Sequence, residues 1–406
     1  MNKFLYRRGG AEGYLFDVAG LQRDAGHEVA FFGMDHPENE PMPYSGSFPS
    51  HVEFEPPPPG PRGKLAGVGR MLWSTSAQRG IDDVLAAFRP DVVHLHNIYH
   101  QLSPSILAPV RRRGVPAVMT LHDYKLVCPT YRFLDHGEIC EACVPHRFWS
   151  PVLRGCNNGS RGASAAVALE LSLHTMAGAY RPVALFLCPS RFLEGKMREG
   201  RVFPERLRWI PNFVDVGRWP PKESPGTGVV FAGRLSHEKG VDVLIRAIAA
   251  MPDVTLDLAG AGPERAALER LAAEVGAADR VRFHGRLGTD ELRSVLRKAA
   301  VAAVPSRWYE NQPLAVLEAF ACGLPVVGTE LGGVPELIDP GVDGASVPAN
   351  DPAALAAALR PLLADPGLAF RMGAAGRAKV ERDFGPSMHL ERLLGLYDEA
   401  GTKVAA

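Results

Sequence analysis

Short apolar runs alternate with amphipathic stretches along most of this chain, and this alternation constrains the fold more than any other feature. The runs end in glycine, proline or polar residues. Strands that alternate with helices build parallel sheets whose two faces are covered by the helices. The sequence therefore predicts an α/β protein. The predicted strands are residues 91–96, 117–121, 185–188, 228–232, 254–259, 281–284, 301–304 and 325–328.

The predicted strands fall into two series, and a proline-rich stretch at 209–226 separates them. Proline at this density is incompatible with a central strand or a helix interior, because it lacks a backbone N–H and its ring clashes with the preceding turn. We therefore predict an interdomain linker here. A chain of 406 residues also has room for two domains of the usual size, about 100–200 residues each.

The charge balance limits the partners of this chain. Lys plus Arg and Asp plus Glu number 45 each, so the formal net charge is zero. Proteins hold nucleic acid largely by neutralising phosphates with cations, so we predict no nucleic-acid partner. No run approaches the ~20 apolar residues of a membrane span, and residues 1–13 lack the apolar core of a signal peptide. We predict a cytoplasmic protein.

Two segments leave alternatives open. Residues 163–179 form an apolar predicted helix, for which core packing is the first interpretation and peripheral contact with a membrane the second. Residues 7–12 read as the loop between a first strand and a first helix, yet only residues 2–6 precede that loop as a strand. Either the first strand is very short, or the reading frame begins a few residues late, and we prefer the second interpretation.

The segment Ser306–Gly323 follows a predicted strand and carries two carboxylates. Pro313 fits the first turn of a helix, which places Glu310 on the preceding loop and Glu318 inside the helix. Apolar residues at helical spacing indicate that this helix is packed, so Glu318 needs a polar partner such as a sugar hydroxyl. The alternatives are two solvated glutamates, or a glycosidase pair about 5–9.5 Å apart, which the parallel-sheet context disfavours.

The segment Phe231–Gly240 also lies between a strand and a helix. Gly233 permits a tight turn, while Arg234 and Lys239 bring two cations close to the N-terminus of the next helix. This combination predicts an anion site suited to a diphosphate, and the alternative is a loop with scattered solvated cations. The stretch 260–263 lacks the third glycine of a dinucleotide fingerprint and predicts only a turn. A helix is predicted to begin at Pro263, because a proline in the first turn is followed by the carboxylate of Glu264.

A histidine and a cysteine cluster follow another predicted strand. His122 lies at the carboxyl end of residues 117–121, where sites form in α/β proteins, although a structural histidine is equally compatible with this position. A Cys-x2-Cys pair with two outlying thiols suits tetrahedral Zn²⁺, and His136 or His146 could replace one ligand. Free thiols, a disulfide and an iron–sulfur site are the alternatives. The four cysteines are Cys128, Cys140, Cys143 and Cys156.

These segments together resemble the family 4 retaining glycosyltransferases, which have the GT-B fold. The resemblance covers nearly the whole chain. It rests on Gly233-Arg-Leu, Glu238-Lys-Gly240, Glu310-Asn-Gln-Pro-Leu-Ala-Val-Leu-Glu-Ala319, Gly9-Gly-Ala-Glu12, Gly26-His-Glu-Val29, Asp91-Val-Val-His94, Thr120-Leu-His-Asp123, Pro211-Asn212 and Gly332-Gly-Val-Pro-Glu336. The sequence departs from the family pattern at Gln312-Pro313, where many relatives carry phenylalanine and glycine before the helix.

The resemblance implies two Rossmann-like domains that face one another across a cleft. Residues 1–212 would form the acceptor-side domain, with a cysteine-rich insertion at about 124–160 that shapes acceptor access. Residues 213–383 would bind the nucleotide sugar, and residues 384–406 would form a helix that returns to the first domain.

The resemblance also implies a role for each matching residue. Arg234 and Lys239, with Gly233 in the same loop, would hold the donor diphosphate. Glu318 would bind the ribose, Glu310 would contact the transferred sugar, and His122 would lie beside the sugar and the leaving phosphate. Further donor-binding or cleft-lining positions would be Gly9, Gly10, Asn311, Gln312 and Leu314.

The implied activity is retaining transfer of a hexose-type sugar from a nucleoside-diphosphate sugar to a glycan, a lipid-linked or a small-molecule acceptor, as in polysaccharide biosynthesis. Cleavage of a glycosyl phosphate puts negative charge on the departing diphosphate, which fixed cations stabilise. We therefore predict that transfer requires no divalent metal, and that zinc is structural. The alternative functions are a nucleotide-sugar epimerase on the same fold and a catalytically silent nucleotide-sugar-binding protein.

Overall fold

The computed structural model describes residues 1–54 and 58–405, without the side chains of the last two of these. It contains two parallel sheets, each packed between helices, and this confirms the predicted fold class. The eight predicted strands are all present within one or two residues at either end. Two of them, Leu185–Cys188 and Val301–Val304, have the predicted bounds, because every residue in them is buried and apolar.

The first domain is built on a four-stranded parallel sheet with the order β1-β2-β5-β6. A small antiparallel hairpin, β3 and β4, lies in the cysteine-rich insertion. The elements in chain order are α1 (Gly10–Asp24), α2 (Gly60–Leu72), α3 (Thr75–Phe88), β1 (Val93–Leu95), α4 (Leu107–Arg112), β2 (Ala117–Thr120), β3 (Leu134–Asp135), β4 (Glu138–Ile139), α5 (Ser150–Arg154), α6 (Arg161–Met176), β5 (Leu185–Cys188), α7 (Arg191–Glu199) and β6 (Leu207–Trp209).

The second domain is built on a six-stranded parallel sheet with the order β12-β11-β10-β7-β8-β9. Its elements are β7 (Val229–Ala232), α8 (Val241–Ala249), β8 (Leu256–Ala259), α9 (Arg265–Glu274), β9 (Val281–Gly285), α10 (Thr289–Lys298), β10 (Val301–Val304), α11 (Leu314–Ala321), β11 (Val326–Thr329), β12 (Gly344–Val347), α12 (Pro352–Ala364), α13 (Pro366–Asp383) and α14 (Pro386–Ala405). In this order β7 and β10 are neighbours, which brings the loops at their carboxyl ends together.

Two predicted helix starts were wrong by one or two residues. Pro313 precedes α11 as its N-cap, since its ψ of 117° is extended rather than helical. The helix predicted to begin at Pro263 begins at Arg265, and Glu264 is its N-cap. Glu318 still lies inside α11 and Glu310 on the loop before it, so neither shift moves a predicted site residue to another element.

The last helix, α14, packs against the first domain. Tyr14 and Leu185 share a buried apolar cluster with Leu393. The Tyr14 hydroxyl lies 3.0 Å from His389 Nε2, and the Gln22 side chain donates to the Tyr397 hydroxyl at 2.8 Å. The chain between β6 and β7 contains neither helix nor strand.

The N-terminal residues run as an extended segment between two others. Asn2 N–H donates to the Phe32 carbonyl at 3.1 Å, and Lys3 N–H donates to the Asn97 carbonyl at 2.9 Å. These bonds tie residues 1–5 into the first domain beside β1, although the stretch is too short and irregular to count as a strand.

Among the described segments, no single helix has the length and apolar character of a membrane span. By length and composition only, a pair formed by Pro352–Ala364 and Pro366–Lys403, bent by 103°, meets the requirement.

Candidate active site

Glu310 lies on the loop after β10, buried between a cation and a hydroxyl group. Its Oε1 is 2.7 Å from Lys239 Nζ and accepts a hydrogen bond from Ser306 Oγ at 2.6 Å. Burial on its own raises the pKa of Glu310, but Lys239 and the hydrogen bond from Ser306 outweigh it and lower the pKa below its ordinary value. Glu310 is therefore a carboxylate at neutral pH.

A glycine turn holds the backbone of Glu310. Gly333 N–H donates to the Glu310 carbonyl at 2.7 Å. Gly332 has a φ of +63°, and a Cβ added there would lie 2.3 Å from the same carbonyl oxygen. Only glycine fits this position, both for its conformation and for its contact. The Gly332-Gly333 pair therefore fixes the loop that presents Glu310.

The predicted anion site forms at the loop between β7 and α8. Lys239 contacts Glu310 and lies 5.4 Å from the centre of the Trp308 ring. Arg234 is exposed, and within the described segments its guanidinium has no ion pair or hydrogen bond. Gly240, the N-cap of α8, has a φ of +65°, and a Cβ there would lie 2.0 Å from the Pro305 carbonyl oxygen. The loop thus packs closely against β10 while it leaves one cation free for an anionic ligand.

Glu318 faces a cavity of about 360 Å³ between the two domains. Arg7 and Asp17 line it from the first domain, and Leu314 lines it from the second. Burial, and to a smaller degree Asp17, raises the pKa of Glu318 to about 7. No hydrogen bond or ion pair to its carboxylate forms among residues 1–54 and 58–405. A half-buried carboxylate without a protein partner is available to a ligand hydroxyl.

The N-terminal loop lies in the same cleft. Gly9 is the N-cap of α1, and a Cβ added to Gly10 would lie 3.7 Å from the Leu314 side chain of the second domain. The guanidinium of Arg286 donates to the Arg7 carbonyl at 2.6 Å. Both contacts place the glycines at the boundary between the domains.

His122 belongs to a stack of three imidazoles at the carboxyl end of β2. Its Nε2 is 3.0 Å from His96 Nδ1, and the His96 ring stacks on His94 at 4.3 Å between centres. Burial lowers the pKa of His122 to about 4, so the ring is neutral at neutral pH. A neutral ring can exchange a hydrogen bond with a sugar hydroxyl, but it supplies no positive charge to a phosphate.

Asn311 and Gln312 were predicted to bind the donor, but in the structure their side chains join the two domains. Asn311 Nδ2 donates to the Leu121 carbonyl at 2.9 Å, and Asn311 Oδ1 accepts from Ser190 Oγ at 2.9 Å. Gln312 Oε1 accepts from Asn212 N–H. Domain contact therefore uses these polar side-chain atoms.

Two further contacts across the cleft were not predicted. The Glu336 carboxylate accepts from the backbone N–H groups of Arg191 and Phe192, at 2.8 and 2.6 Å, and so caps α7 of the other domain. The Tyr309 hydroxyl donates to Glu141 Oε1 at 2.7 Å. Glu336 could have been found, since it ends the Gly332-Gly-Val-Pro motif. Nothing in the local pattern marks Tyr309.

The four cysteines of the insertion lie close together without bonding to one another. All four are free, and Cys128 and Cys143 are buried. Burial raises the pKa of the Cys143 thiol, and the thiols of Cys128, Cys156 and Cys140 raise it further. No three of their sulfur atoms, however, lie within 4.8 Å of one another in the described chain.

Another group of side chains has metal-ligand spacing. The ligand atoms of His36, His51 and Glu53 all lie within 4.8 Å of one another. However, the guanidinium of Arg8 donates to Glu53 at 3.3 Å, and the Glu38 N–H donates to His36 Nδ1 at 3.1 Å. A cation already neutralises the carboxylate and one imidazole nitrogen is occupied, so these three residues do not favour a metal ion.

A cavity larger than the one at Glu318 lies elsewhere. It measures about 1020 Å³ and lies among α1, residues 26–32, β1 and α14. No predicted site residue lines it. Cavity volume alone would therefore place the active site away from the carboxylates and cations. The chemistry of these side chains instead places it in the interdomain cleft.

Solved structures define the class of protein to which this fold belongs. Sucrose-phosphate synthase from Thermosynechococcus elongatus superposes with a TM-score of 0.72 at 23% identity, over 98% of this chain and 95% of that chain. HepE from Anabaena, solved in complex with UDP, superposes with a TM-score of 0.67 at 19% identity, over 97% of both chains. The two facing domains have the GT-B fold.

Sequence comparisons identify the family. Residues 8–218 match the family model described as Glycosyltransferase Family 4, and residues 220–379 match the one described as Glycosyl transferases group 1. D-inositol 3-phosphate glycosyltransferase 1 of Catenulispora acidiphila is 31% identical over 339 residues, which cover 76% of this chain and 72% of that protein. Glycogen synthase of Mycobacterium tuberculosis is 38% identical over 183 residues, only 43% of this chain and 44% of that protein. This chain belongs to glycosyltransferase family 4.

Proposed function

We propose that this protein is a retaining glycosyltransferase that moves a hexose from a nucleoside-diphosphate sugar to a hydroxyl group of a glycan, lipid-linked or small-molecule acceptor. The observation that carries the proposal is the ion pair of Lys239 with the buried carboxylate of Glu310, and the loop of Lys239 also carries Arg234, whose guanidinium is unpaired within the described segments. Structures of Anabaena HepE with UDP and with UDP-glucose support a donor of this class.

The two cations, Lys239 and Arg234, bind the diphosphate leaving group. An ammonium has three N–H donors, so Lys239 can keep its contact with Glu310 and still donate to a phosphate oxygen. Arg234 adds a planar donor fork that matches two phosphate oxygens. Because negative charge grows on the diphosphate as the glycosidic bond breaks, both contacts strengthen in the transition state. Transfer therefore requires no divalent cation.

The two carboxylates, Glu318 and Glu310, contact the ribose and the transferred sugar of the donor. Glu318, which has no protein partner in the described chain, accepts hydrogen bonds from the ribose hydroxyls in the cavity that it lines. Glu310, held rigid by Lys239 and Ser306, accepts a hydrogen bond from a hydroxyl of the transferred sugar. His122 contacts the sugar from the first domain as a neutral ring. The acceptor hydroxyl attacks from the face that the diphosphate leaves, its proton passes to the departing phosphate, and no protein nucleophile takes part.

A donor screen followed by a turnover assay tests this function. Purified protein is screened by thermal shift against nucleotide sugars, and the stabilising donor is incubated with and without candidate acceptors. We expect nucleoside diphosphate to be released only when an acceptor is present, with or without a chelator. Isomerised donor without release would instead support the epimerase, and donor binding without any turnover would support the silent binding protein.

Donor affinity is expected to depend on the ionisation of Glu318. The ribose hydroxyls donate to its carboxylate, so they bind the ionised form. Since the pKa is about 7 in the free protein, the donor dissociation constant should rise as the pH falls below that value, by up to about tenfold per pH unit. Calorimetric titration at pH values around and below 7 measures the dissociation constant. Glu318→Gln should bind weakly and lose this pH dependence, and an equal pH dependence in the variant would contradict the role of Glu318.

We also propose that the four cysteines of the insertion bind one zinc ion in the reducing cytoplasm. The support is the donor set, a Cys-x2-Cys pair with two further thiols, one of them buried, in a segment with a very small apolar core of its own. Four sulfurs on one zinc lie about 3.8 Å apart, so the ion would draw them closer than they lie in the structure.

Elemental analysis of the purified protein measures the zinc directly. We expect about one zinc per chain. Cys143→Ala should lose the metal, whereas Cys188→Ala, the matched control at a buried cysteine of β5, should keep it. Absence of zinc together with four titratable thiols in the native insertion would contradict this proposal and would leave the proposed transferase activity untouched.

A further inference from the structure

The helix α6 exposes an apolar stripe on the side opposite to its buried face. Leu169, Leu173 and Met176 recur at intervals of four and three residues, so they lie on one side of the helix. All three are exposed, while Val167 and Leu171 on the other side are buried. A helix that is apolar on both sides normally has both sides covered. The described residues cover only one of them.

Two helices that pack against α6 also expose large apolar side chains, in the helices or beside their ends. Helices α2 and α5 both pack against α6, and His174 Nε2 on α6 is 2.9 Å from the Leu72 carbonyl at the end of α2. Each side chain of the surface exposes between 40% and 82% of its area, and these seven outnumber the large apolar side chains exposed elsewhere in the described segments. We call this surface the α2–α5–α6 face: Leu65, Trp73, Trp149, Leu153, Leu169, Leu173 and Met176.

The two stretches of sequence that supply most of the α2–α5–α6 face contain cations and no acidic residue. The sequence contains no Asp or Glu in 56–81 or in 142–169, which include α2, α5 and most of α6. The next acidic residue, Glu170, is fully buried and faces inward to Lys125. Exposed cations are present in the same two stretches, and one of them, Arg154, pairs with Asp135 of the hairpin at 2.9 Å. They are Arg62, Lys64, Arg79, Arg147, Arg154 and Arg161.

We propose that the α2–α5–α6 face docks on an anionic lipid bilayer, and that the acceptor is therefore carried by the membrane. Large apolar side chains with interspersed Lys and Arg are the combination that binds the interface of an anionic bilayer. Tryptophan, present here as Trp73 and Trp149, also favours the boundary between lipid and water. The statement about the acceptor rests on the proposed function, whereas the docking itself does not.

Charge favours the bilayer over a second copy of this chain. In a symmetric dimer through this face, the exposed cations of one copy would meet those of the other, and among them only Arg154 has a carboxylate partner, Asp135, in the described chain. Anionic headgroups instead neutralise them. An acidic protein partner would also satisfy the charges, but in that case the purified protein would not bind to vesicles.

The insertion connects the α2–α5–α6 face to the candidate active site. Trp149 and Leu153 belong to this insertion, which follows directly after His122. Within the same insertion, Glu141 accepts from the Tyr309 hydroxyl beside Glu310. The hairpin tip also reaches the donor side, since a Cβ on Gly137 would lie 2.6 Å from His237 Nε2. The bilayer would therefore lie on the side of the cleft that the first domain forms, where the acceptor is expected.

Vesicle co-sedimentation of the full chain tests the docking. One set of vesicles contains phosphatidylcholine alone, and the other contains phosphatidylcholine with phosphatidylglycerol. We expect binding to the anionic vesicles, weaker at high salt, with the tryptophan fluorescence quenched by brominated lipid. The triple variant Leu169→Ser, Leu173→Ser, Met176→Ser should lower this binding by more than about tenfold. The matched control Val342→Ser, which changes an exposed apolar residue of the second domain, should bind like the unaltered protein.

Several results would overturn the docking. They are the absence of binding to either kind of vesicle, equal binding by the triple variant, and a dimer in sedimentation velocity that the triple variant dissociates. The last of these would assign the face to a second copy. Calorimetric titration with donor accompanies each variant, because the triple substitution should leave donor affinity unchanged. Vesicle binding can therefore fail while the proposed function holds, and donor binding can fail while docking holds.

Discussion

Replacing Glu310 by glutamine is expected to lower turnover by at least about 100-fold while the fold stays intact. Glutamine has nearly the same shape and can still accept the hydrogen bond from Ser306, but it carries no charge. Lys239 then loses the partner that holds it 2.7 Å away, and the sugar loses a charged acceptor. The measurement is release of nucleoside diphosphate at saturating donor and acceptor, with thermal unfolding as the check on the fold.

Glu330→Gln is the matched control for this experiment. Glu330 follows β11 near the same edge of the sheet and is exposed, so its loss should leave turnover unchanged. Normal turnover of Glu310→Gln would contradict the role of Glu310. A variant with the normal unfolding temperature but lost turnover would show that the carboxylate acts in the reaction and not in folding.

Glu170→Gln is expected to have the largest effect on stability, a loss of about 3 kcal/mol or more. The Glu170 carboxylate is fully buried, with Lys125 Nζ at 2.8 Å and His100 Nδ1 at 2.9 Å. Burial alone raises the pKa of Glu170, but His100 and Lys125 reverse this and lower the pKa far below its ordinary value. The glutamine variant leaves the Lys125 ammonium buried without its counter-charge. Urea unfolding of the first domain measures the loss.

The difference in stability between the unaltered protein and Glu170→Gln should depend on pH in a definite direction. A carboxylate with a lowered pKa in the folded protein contributes stability that is present above its unfolded pKa and is lost as the pH falls. The unaltered protein and Glu170→Gln should therefore differ most near neutral pH and converge in acid, below about pH 4. Glu274→Gln, on the exposed side of α9, should show no such difference. A constant difference at all pH values would contradict the ion pair as its cause.

The strands were predicted well from the sequence because a buried parallel strand produces a local pattern, a continuous apolar run. Val301–Val304 is an example, and so is the segment after it, where a proline before a packed helix placed Glu310 and Glu318 on the right elements. The helix ends were less accurate because a proline at the N-cap and one in the first turn leave nearly the same local pattern.

Contacts that depend on strand order or domain packing could not be predicted. Lys239 and Glu310 are 71 residues apart and meet only because β7 and β10 are neighbours, an order that no local pattern specifies. The Asn311 side chain donates to the Leu121 carbonyl of the other domain. The packing of the two domains decides this contact, and the sequence of one segment contains no information about it. Glu170 did leave a signal: it is the one acidic residue in an otherwise apolar predicted helix.

The anomeric configuration of the product tests the central claim most directly. Proton NMR can follow the transferred sugar during turnover, with the donor identified by the thermal-shift screen. We predict that the product keeps the anomeric configuration of the donor and forms in step with release of the nucleoside diphosphate. An inverted product, or free sugar released at the same rate with and without acceptor, would contradict retaining transfer by this site.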